Sequence, residues 1–130
     1  VMYIHHAAIY TQDLTKLRDF YCKYFGGVSN SGYENPKTGF ASYFVRFGEG
    51  ASLEIMTAPD VTESGRNTPQ QFFGYSHLAF SVGSEEKVDR LTALLEQDGF
   101  THISGPRHTG DGYYESCVLD PDGNRVEITV

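Results

Sequence analysis

The sequence is internally duplicated, and this constrains the fold more than any other feature. Two segments of the first half return in the second half: Ile4–Ile9 as Tyr75–Phe80, and Ala51–Ile55 as Asn124–Ile128. His6 matches His77 at an offset of 71 positions, and Glu54 matches Glu127 at an offset of 73. Each half therefore carries one histidine and one glutamate in equivalent places. A chain of 130 residues has room for one domain with a real core, here built from two similar modules.

The same order of elements is predicted in each half. Module one (1–57) and module two (75–130) are joined by a Thr-, Pro-, Gln- and Ser-rich linker (58–74), a plain crossover or a lid that Phe72 and Phe73 pack down. Hydrophobic alternation, helical periodicity, N-cap residues and Gly stops predict β-α-β-β-β in both. The predicted strands are 4–11, 41–47, 51–57, 77–82, 100–103, 113–119 and 125–130. The helices follow Asp13 and Ser84 and end before 26–27 and 99, and the loops are 32–39 and 105–112.

Strand alternation places the repeated ionisable residues on one kind of face. Glu54, His77 and Glu127 each stand opposite an aliphatic run, so they point away from the helix and into whatever the sheet encloses. On the first strand His6 lies on the corresponding face, whereas His5 lies on the opposite face with Ala7 and Ile9. A lone strand histidine or glutamate is more often an ordinary hydrogen-bonded or solvated residue. Two equivalent pairs on enclosed faces favour a metal site instead.

Charge and cysteine content exclude several classes of function. Ten basic and seventeen acidic residues give a net charge of −7, which repels phosphate backbones, so nucleic acid is an unexpected partner. No stretch approaches the ~18 apolar residues of a membrane span. Cys22 and Cys117 lie in different halves without CxxC spacing and are predicted to be small, reduced core residues. These features predict a soluble, cytoplasmic protein.

Several short segments of the sequence resemble those of the vicinal oxygen chelate superfamily. This superfamily includes glyoxalase I, epimerases, extradiol dioxygenases, fosfomycin-resistance enzymes and bleomycin-binding proteins. The resemblance covers essentially the whole chain, and its most specific string runs from Asp120 to Glu127. It implies an α+β fold of two tandem β-α-β-β-β modules forming a curved mixed sheet around a metal cleft. A His-Glu-His-Glu ligand order is similar to that of glyoxalase I, whereas epimerases tend to carry Gln at the second position.

The resemblance implies a metal set of His6, Glu54, His77 and Glu127 and a homodimer. Two imidazoles and two carboxylates suit a divalent ion such as zinc or nickel, with cobalt or manganese as alternatives. Such an ion could stabilise an enediolate formed beside a carbonyl. By resemblance to glyoxalase I, Glu127 is the catalytic base and Glu54 receives or returns a proton, in the isomerisation of a hemithioacetal to a 2-hydroxy acid thioester. A small-molecule-binding protein, an epimerase, a dioxygenase and a fosfomycin-resistance transferase remain as alternatives.

The sequence departs from the glyoxalase I pattern in two places. Tyr10 stands where those enzymes carry an arginine for the glutathione carboxylate, and the loop 105–112 offers Arg107, His108 and Asp111 in place of a lysine-and-glycine clamp. The sequence therefore does not identify the thiol that forms the hemithioacetal substrate. His102 and His108 are interpreted as ordinary exposed histidines, while Tyr10, Phe44 and Tyr113 are candidates to line a pocket.

Overall fold

The computed structural model describes residues 1–63 and 71–130. They belong to two compact units, residues 1–65 and 66–130. Each unit has one helix packed on its own mixed β-sheet, which confirms the predicted α+β class of two tandem modules. The predicted linker 58–74 includes residues 64–70, which lie outside the described residues, so its role as crossover or lid stays a prediction.

Module one is a five-stranded sheet with a single helix. Strand β1 pairs in parallel with β5, and the remaining pairs, β5 with β4 and β4 with both β2 and β3, are antiparallel. The elements are β1 (His6–Tyr10), α1 (Leu14–Phe25), β2 (Val28–Ser29), β3 (Tyr33–Glu34), β4 (Ala41–Arg46) and β5 (Ser52–Thr57).

The helix of module one forms where the sequence predicts it. Asp13 caps its N-terminus by accepting a hydrogen bond from the Lys16 amide, and Gly26 ends it in the left-handed region at φ +69°. One face of α1 packs on the aliphatic side of β4 and β5, and the fully buried members of this core are Leu17, Tyr21, Val45, Leu53 and Ile55. Each such side chain contributes about 1.5–3 kcal/mol on burial. The helix thus covers the sheet face opposite Glu54.

Module two repeats this arrangement with four strands. Strand β6 pairs in parallel with β9, and the antiparallel pairs of β9 with β8 and β8 with β7 complete the sheet. The elements are β6 (His77–Ser81), α2 (Glu85–Gln97), β7 (His102–His108), β8 (Tyr114–Leu119) and β9 (Arg125–Thr129). Ser84 caps α2 as predicted. The buried face of α2 contributes Val88 and Leu95 to the core of this module, and the sheet contributes Val118, Val126 and Ile128.

The predicted boundaries around the loop 105–112 are wrong. Strand β7 runs on to His108, so half of the predicted loop is edge strand, paired with β8 through two register shifts. Gly105 and Pro106 give a loop signal in the sequence, yet a proline, which lacks an N–H, is tolerated in an edge strand. In module one the predicted loop 32–39 likewise contains the two-residue strand β3, which is too short to show alternation.

Candidate metal centre

The first histidine–glutamate pair lies on neighbouring parallel strands of module one. His6 stands opposite Ser52, two residues before Glu54, so both side chains leave the sheet on the face away from α1. His6 Nε2 is 3.6 Å from Glu54 Oε1, and the two side chains are 38% and 19% exposed. Phe44, directly opposite Glu54 on β4, contacts the His6 ring edge-on with 5.5 Å between centroids.

Module two places its pair in the same register. His77 stands opposite Arg125, again two residues before the glutamate, and His77 Nε2 is 3.1 Å from Glu127 Oε2. The two side chains are 36% and 24% exposed. Val126 and Ile128 on either side of Glu127 are fully buried beneath α2, which fixes the face that Glu127 must take. Strand alternation in the sequence therefore placed these residues on the correct faces.

A buried carboxylate in the β8–β9 turn holds this register. Asp120 is only 4% exposed and accepts three hydrogen bonds of 2.9 Å, from the amides of Asp122 and Asn124 and from the Asn124 side chain. Gly123 adopts φ +86°, a conformation that disfavours a side chain, and its amide bonds to the Asp120 carbonyl. The turn sets Cys117 opposite Glu127 on the neighbouring strand.

The other ring nitrogen of each histidine also has a partner. His6 Nδ1 is 2.8 Å from Nδ1 of His5, and His77 Nδ1 is 3.0 Å from the Ser76 hydroxyl. Ser76 in turn donates to Gln71 Oε1 over 2.7 Å. His5 is thus beside His6 but contacts the ring on the side away from Glu54. These contacts were not predicted, because only the adjacency of the residues is visible in the sequence.

Glu115 on β8 is a second carboxylate at the pair of module two, and the sequence analysis missed it. Burial raises the pKa of the Glu115 carboxyl, and a hydrogen bond to Glu127 raises it further, while Arg107 opposes the shift. The corresponding position of module one is Ser42, because Ser42 pairs with Met56 as Glu115 pairs with Thr129. The two modules therefore differ in acidity beside their glutamates. The sequence shows this difference only once the strands of the two modules are aligned by their register.

The two cysteines are free thiols in the structure. Cys117 is 8% exposed and shares the face of Glu127, and Arg125 reaches its Sγ at 3.8 Å. Burial raises the pKa of the Cys117 thiol, and Arg125 partly offsets this. Burial also raises the pKa of the Cys22 thiol in α1. Both therefore remain protonated at neutral pH. Cys117 is a buried core residue as predicted, whereas Cys22 is only partly buried.

The spacing within each pair fits two ligands of one ion. Donor atoms about 2.1 Å from a shared zinc ion are about 3.0 Å apart at a right angle and about 3.4 Å apart at the tetrahedral angle. The observed nitrogen–oxygen distances of 3.6 and 3.1 Å lie close to this range. Within residues 1–63 and 71–130 no group of three or more His, Cys, Asp or Glu side chains is arranged so that it could hold a metal ion. Each module thus offers a pair, and the convergence of the two pairs on one ion stays a prediction.

The remaining histidines lie elsewhere and have acidic partners on α2. His102 Nδ1 is 3.4 Å from Glu96, and His108 Nε2 is 3.3 Å from Glu85. His108 and Tyr113 line a surface cavity of about 490 Å³ near the start of α2. Tyr114 points the same way, to Asp89, so the cavity lies on the helix side of the sheet, opposite the face of Glu115. Tyr10 and Tyr113 are about half exposed.

The fold defines an α+β protein of two duplicated modules, each with a histidine and a glutamate on parallel-paired strands. Comparison with known families makes this specific: the model of the Glyoxalase/Bleomycin resistance protein/Dioxygenase superfamily matches residues 3–128, and the chain belongs to this superfamily. Members of the superfamily commonly use divalent metal ions and bind small molecules.

Three relatives illustrate the range of the superfamily. The chain is 28% identical to the uncharacterized protein YqjT of Bacillus subtilis (strain 168) over 128 residues, 96% of each chain. It is 33% identical to the glutathione transferase FosA of Serratia marcescens over 88 residues, 65% of this chain and 60% of that one. The trypanothione-dependent glyoxalase I of Leishmania major superimposes with a TM-score of 0.75 at 20% identity, covering 99% of this chain and 86% of that chain, which shows a shared fold.

Neither α1 nor α2, the helices in residues 1–63 and 71–130, is long and apolar enough to cross a membrane.

Proposed function

We propose that the protein is a metal-dependent lyase or isomerase of the glyoxalase I type, acting on a small substrate with adjacent oxygen atoms. The observation that supports this most directly is the repeated pair: His6 with Glu54, and His77 with Glu127, in the same strand register and with the spacing of two ligands on one ion. A binding protein that uses no metal has no need of both pairs.

The four side chains of the two pairs would hold the ion, with zinc or nickel as the first choices and cobalt or manganese as alternatives. When bound, a divalent ion supplies a positive charge that stabilises the negative charge developing on oxygen beside a carbonyl. The exposed fractions of these side chains, from 19% to 38%, leave them accessible to a substrate.

Glu127 is proposed as the base that removes the proton from the carbon next to the carbonyl, and Glu54 as the group that returns a proton to the neighbouring carbon. The reaction is then a balanced isomerisation of a hemithioacetal to the thioester of a 2-hydroxy acid, through an enediolate. The assignment of Glu127 follows the resemblance to glyoxalase I. It is supported by Glu115, a second carboxylate that contacts Glu127, whereas the equivalent position of module one is Ser42.

The first experiment measures metal content and activity in protein purified without added metal. Elemental analysis identifies the ion, and a panel of hemithioacetals made from one α-ketoaldehyde and several thiols identifies the thiol. The panel is needed because Tyr10 occupies the place of the glutathione-binding arginine. Protein that takes up no divalent ion, or that turns over none of the panel in its metal-loaded form, would contradict the proposal.

The second experiment separates the two glutamates. Glu127→Gln keeps the side-chain shape and one carbonyl oxygen but removes the basic carboxylate, so turnover should fall by at least about 10², while metal content falls far less. Glu54→Gln should be milder, because an amide at this position is similar to the epimerase pattern. Equal losses in both variants, or full activity in Glu127→Gln, would remove Glu127 from its role as the principal base.

Thiol transfer to a small electrophile is the second candidate, and the similarity to the glutathione transferase FosA favours it. In such a reaction the thiolate sulfur bonds to an electrophilic carbon, the leaving oxygen takes a proton, and free thiol is consumed. An isomerase converts hemithioacetal to thioester, leaves the total of thiol, hemithioacetal and thioester unchanged, and consumes no thiol when only an epoxide is supplied. Measuring thiol loss with an epoxide and each thiol of the panel therefore distinguishes the two reactions.

We also propose a cytoplasmic homodimer. Large apolar side chains that precede the first strand of each module are exposed: Tyr3, Ile4, Phe73 and Tyr75 are 75–105% exposed. Large exposed apolar side chains that are close together in the chain, as in each of these two segments, are typical of a protein–protein contact. Light scattering coupled to gel filtration should give twice the chain mass of 14.5 kDa, and a monomer at micromolar concentration would contradict the dimer.

A further inference from the structure

We propose that His5 and Ser76 are positioning residues that fix the ring orientation and the tautomer of His6 and His77. Each directly precedes its histidine, and the two occupy equivalent places in the duplicated sequence, 71 positions apart. Both contact the ring nitrogen that faces away from the glutamate. The inference rests on the proposed metal site and names the residues that prepare its two imidazoles.

The hydrogen bonds of module two determine which nitrogen of His77 carries the proton. A serine hydroxyl has a single proton, and that of Ser76 is donated to Gln71 Oε1 over 2.7 Å. The Ser76 oxygen, 3.0 Å from His77 Nδ1, can then only accept, so the ring donates through Nδ1–H. A neutral imidazole with its proton on Nδ1 has its lone pair on Nε2. That lone pair lies on the Glu127 side of the ring.

This arrangement leaves a place for a cation between the ring and the carboxylate. Nε2 of His77 is 3.1 Å from Glu127 Oε2, and two lone pairs at this distance repel each other unless a positive charge lies between them. Histidines that bind metals almost always donate their other N–H to an acceptor, which fixes the tautomer and makes the ligand more basic. Ser76 supplies such an acceptor, and Gln71 holds Ser76 in place.

In module one the side chain of His5 makes the contact that Ser76 makes in module two. The Nδ1 atoms of His5 and His6 are 2.8 Å apart, a distance that requires one proton between them. The two rings are nearly perpendicular, at 82°, so the contact is made edge to edge rather than by stacking. With the proton on His6, its Nε2 lone pair faces Glu54, as in module two. By analogy with module two the proton is assigned to His6 Nδ1, and His5 Nδ1 is then the acceptor.

The first test uses metal-free protein and needs no activity. Imidazole nitrogen shifts from two-dimensional NMR of ¹⁵N-histidine-labelled protein, at a pH where the rings are neutral, report the tautomer of each ring. His6 and His77 should both show protonated Nδ1 and unprotonated Nε2. In Ser76→Ala the His77 signal should move toward the Nε2–H form. A wild-type His77 that is already in the Nε2–H form would overturn the inference.

The second test measures zinc affinity by competition with a chelator. Ser76→Ala and His5→Ala should each weaken binding by about tenfold or more, the range seen when a partner of a metal-binding histidine is removed. Ser76→Thr keeps the hydroxyl and His5→Asn keeps an acceptor, so both should restore most of the affinity. The controls are Val28→Ala and Leu94→Ala, one in each module, which remove side chains that are 58% and 44% exposed and lie outside both pairs.

The outcomes separate this inference from the proposed function. Unchanged zinc affinity in Ser76→Ala and His5→Ala, with tight binding by wild-type protein, overturns the positioning role and leaves the metal site intact. Failure of wild-type protein to bind zinc or nickel overturns the proposed function, and the tautomers of the metal-free protein still decide whether His5 and Ser76 orient the rings. Equal losses in the control variants would show a general effect of substitution and refute the inference.

Discussion

Replacement of Asp120 by alanine should destabilise module two through the turn that aligns Glu127. The carboxylate is 4% exposed and accepts three hydrogen bonds of 2.9 Å. A hydrogen bond to a charged group contributes about 1.5–3 kcal/mol and a neutral one about 1 kcal/mol. Because water can enter the vacated turn, we expect Asp120→Ala to lower the free energy of unfolding by about 3–5 kcal/mol. That is a large part of the 5–15 kcal/mol typical of a domain.

Asparagine at the same position provides a graded comparison. In Asp120→Asn the side-chain amide oxygen would still accept from the two backbone amides, whereas the bond from the Asn124 side chain would be lost. This variant should therefore cost about 1–2 kcal/mol. The matched control is Asp122→Ala, which removes an exposed carboxylate from the same turn. Its effect should stay within about 0.5 kcal/mol.

Urea unfolding followed by circular dichroism measures these differences, with the free energy taken by linear extrapolation. The midpoint should move to lower urea for Asp120→Ala while the slope stays unchanged. A loss below about 1 kcal/mol in Asp120→Ala, or an equal loss in Asp122→Ala, would refute the view that the buried carboxylate organises the turn.

Two further predictions concern the metal and the thiols. Zinc or nickel at 100 times its dissociation constant should stabilise the protein by about 2.7 kcal/mol, and EDTA should lower the melting temperature; identical melting curves would contradict a metal centre. Since burial raises the pKa values of Cys22 and Cys117, little reactive thiolate forms at pH 8. Both should therefore react slowly with Ellman's reagent until urea unfolds the chain, and a thiol that reacts rapidly in native protein would contradict this.

Much of the fold could be predicted because it depends on local chemistry. The caps at Asp13 and Ser84 are visible as single polar residues before helical periodicity, and both helices begin directly after them. Alternation along the strands separates the face under the helix from the face of the glutamates. His6 was distinguished from His5 by phase alone, and the structure places His6 beside Glu54.

The features that were missed depend on contacts between distant residues or on exceptions to local signals. Glu115 meets Glu127 only because of the antiparallel register of β8 and β9, which no single segment encodes. Strand β7 crosses Gly105 and Pro106 because an edge strand has one unpaired side that tolerates them. The convergence of the two histidine–glutamate pairs on one ion depends on how the two modules are arranged, and the experiments on metal binding test it.

The shared register of the two parallel pairs has a consequence for how such a chain can tolerate insertions. Glu54 follows His6 by 48 positions, whereas Glu127 follows His77 by 50, yet in both modules the glutamate lies two residues beyond the partner of the histidine. Two residues have thus been gained or lost between the halves without disturbing either pair. Changes in length fall in the connecting segments, while a single residue inserted within β1 or β6 would reverse the faces of that strand. What the duplication has preserved is alignment across strands, not distance along the chain.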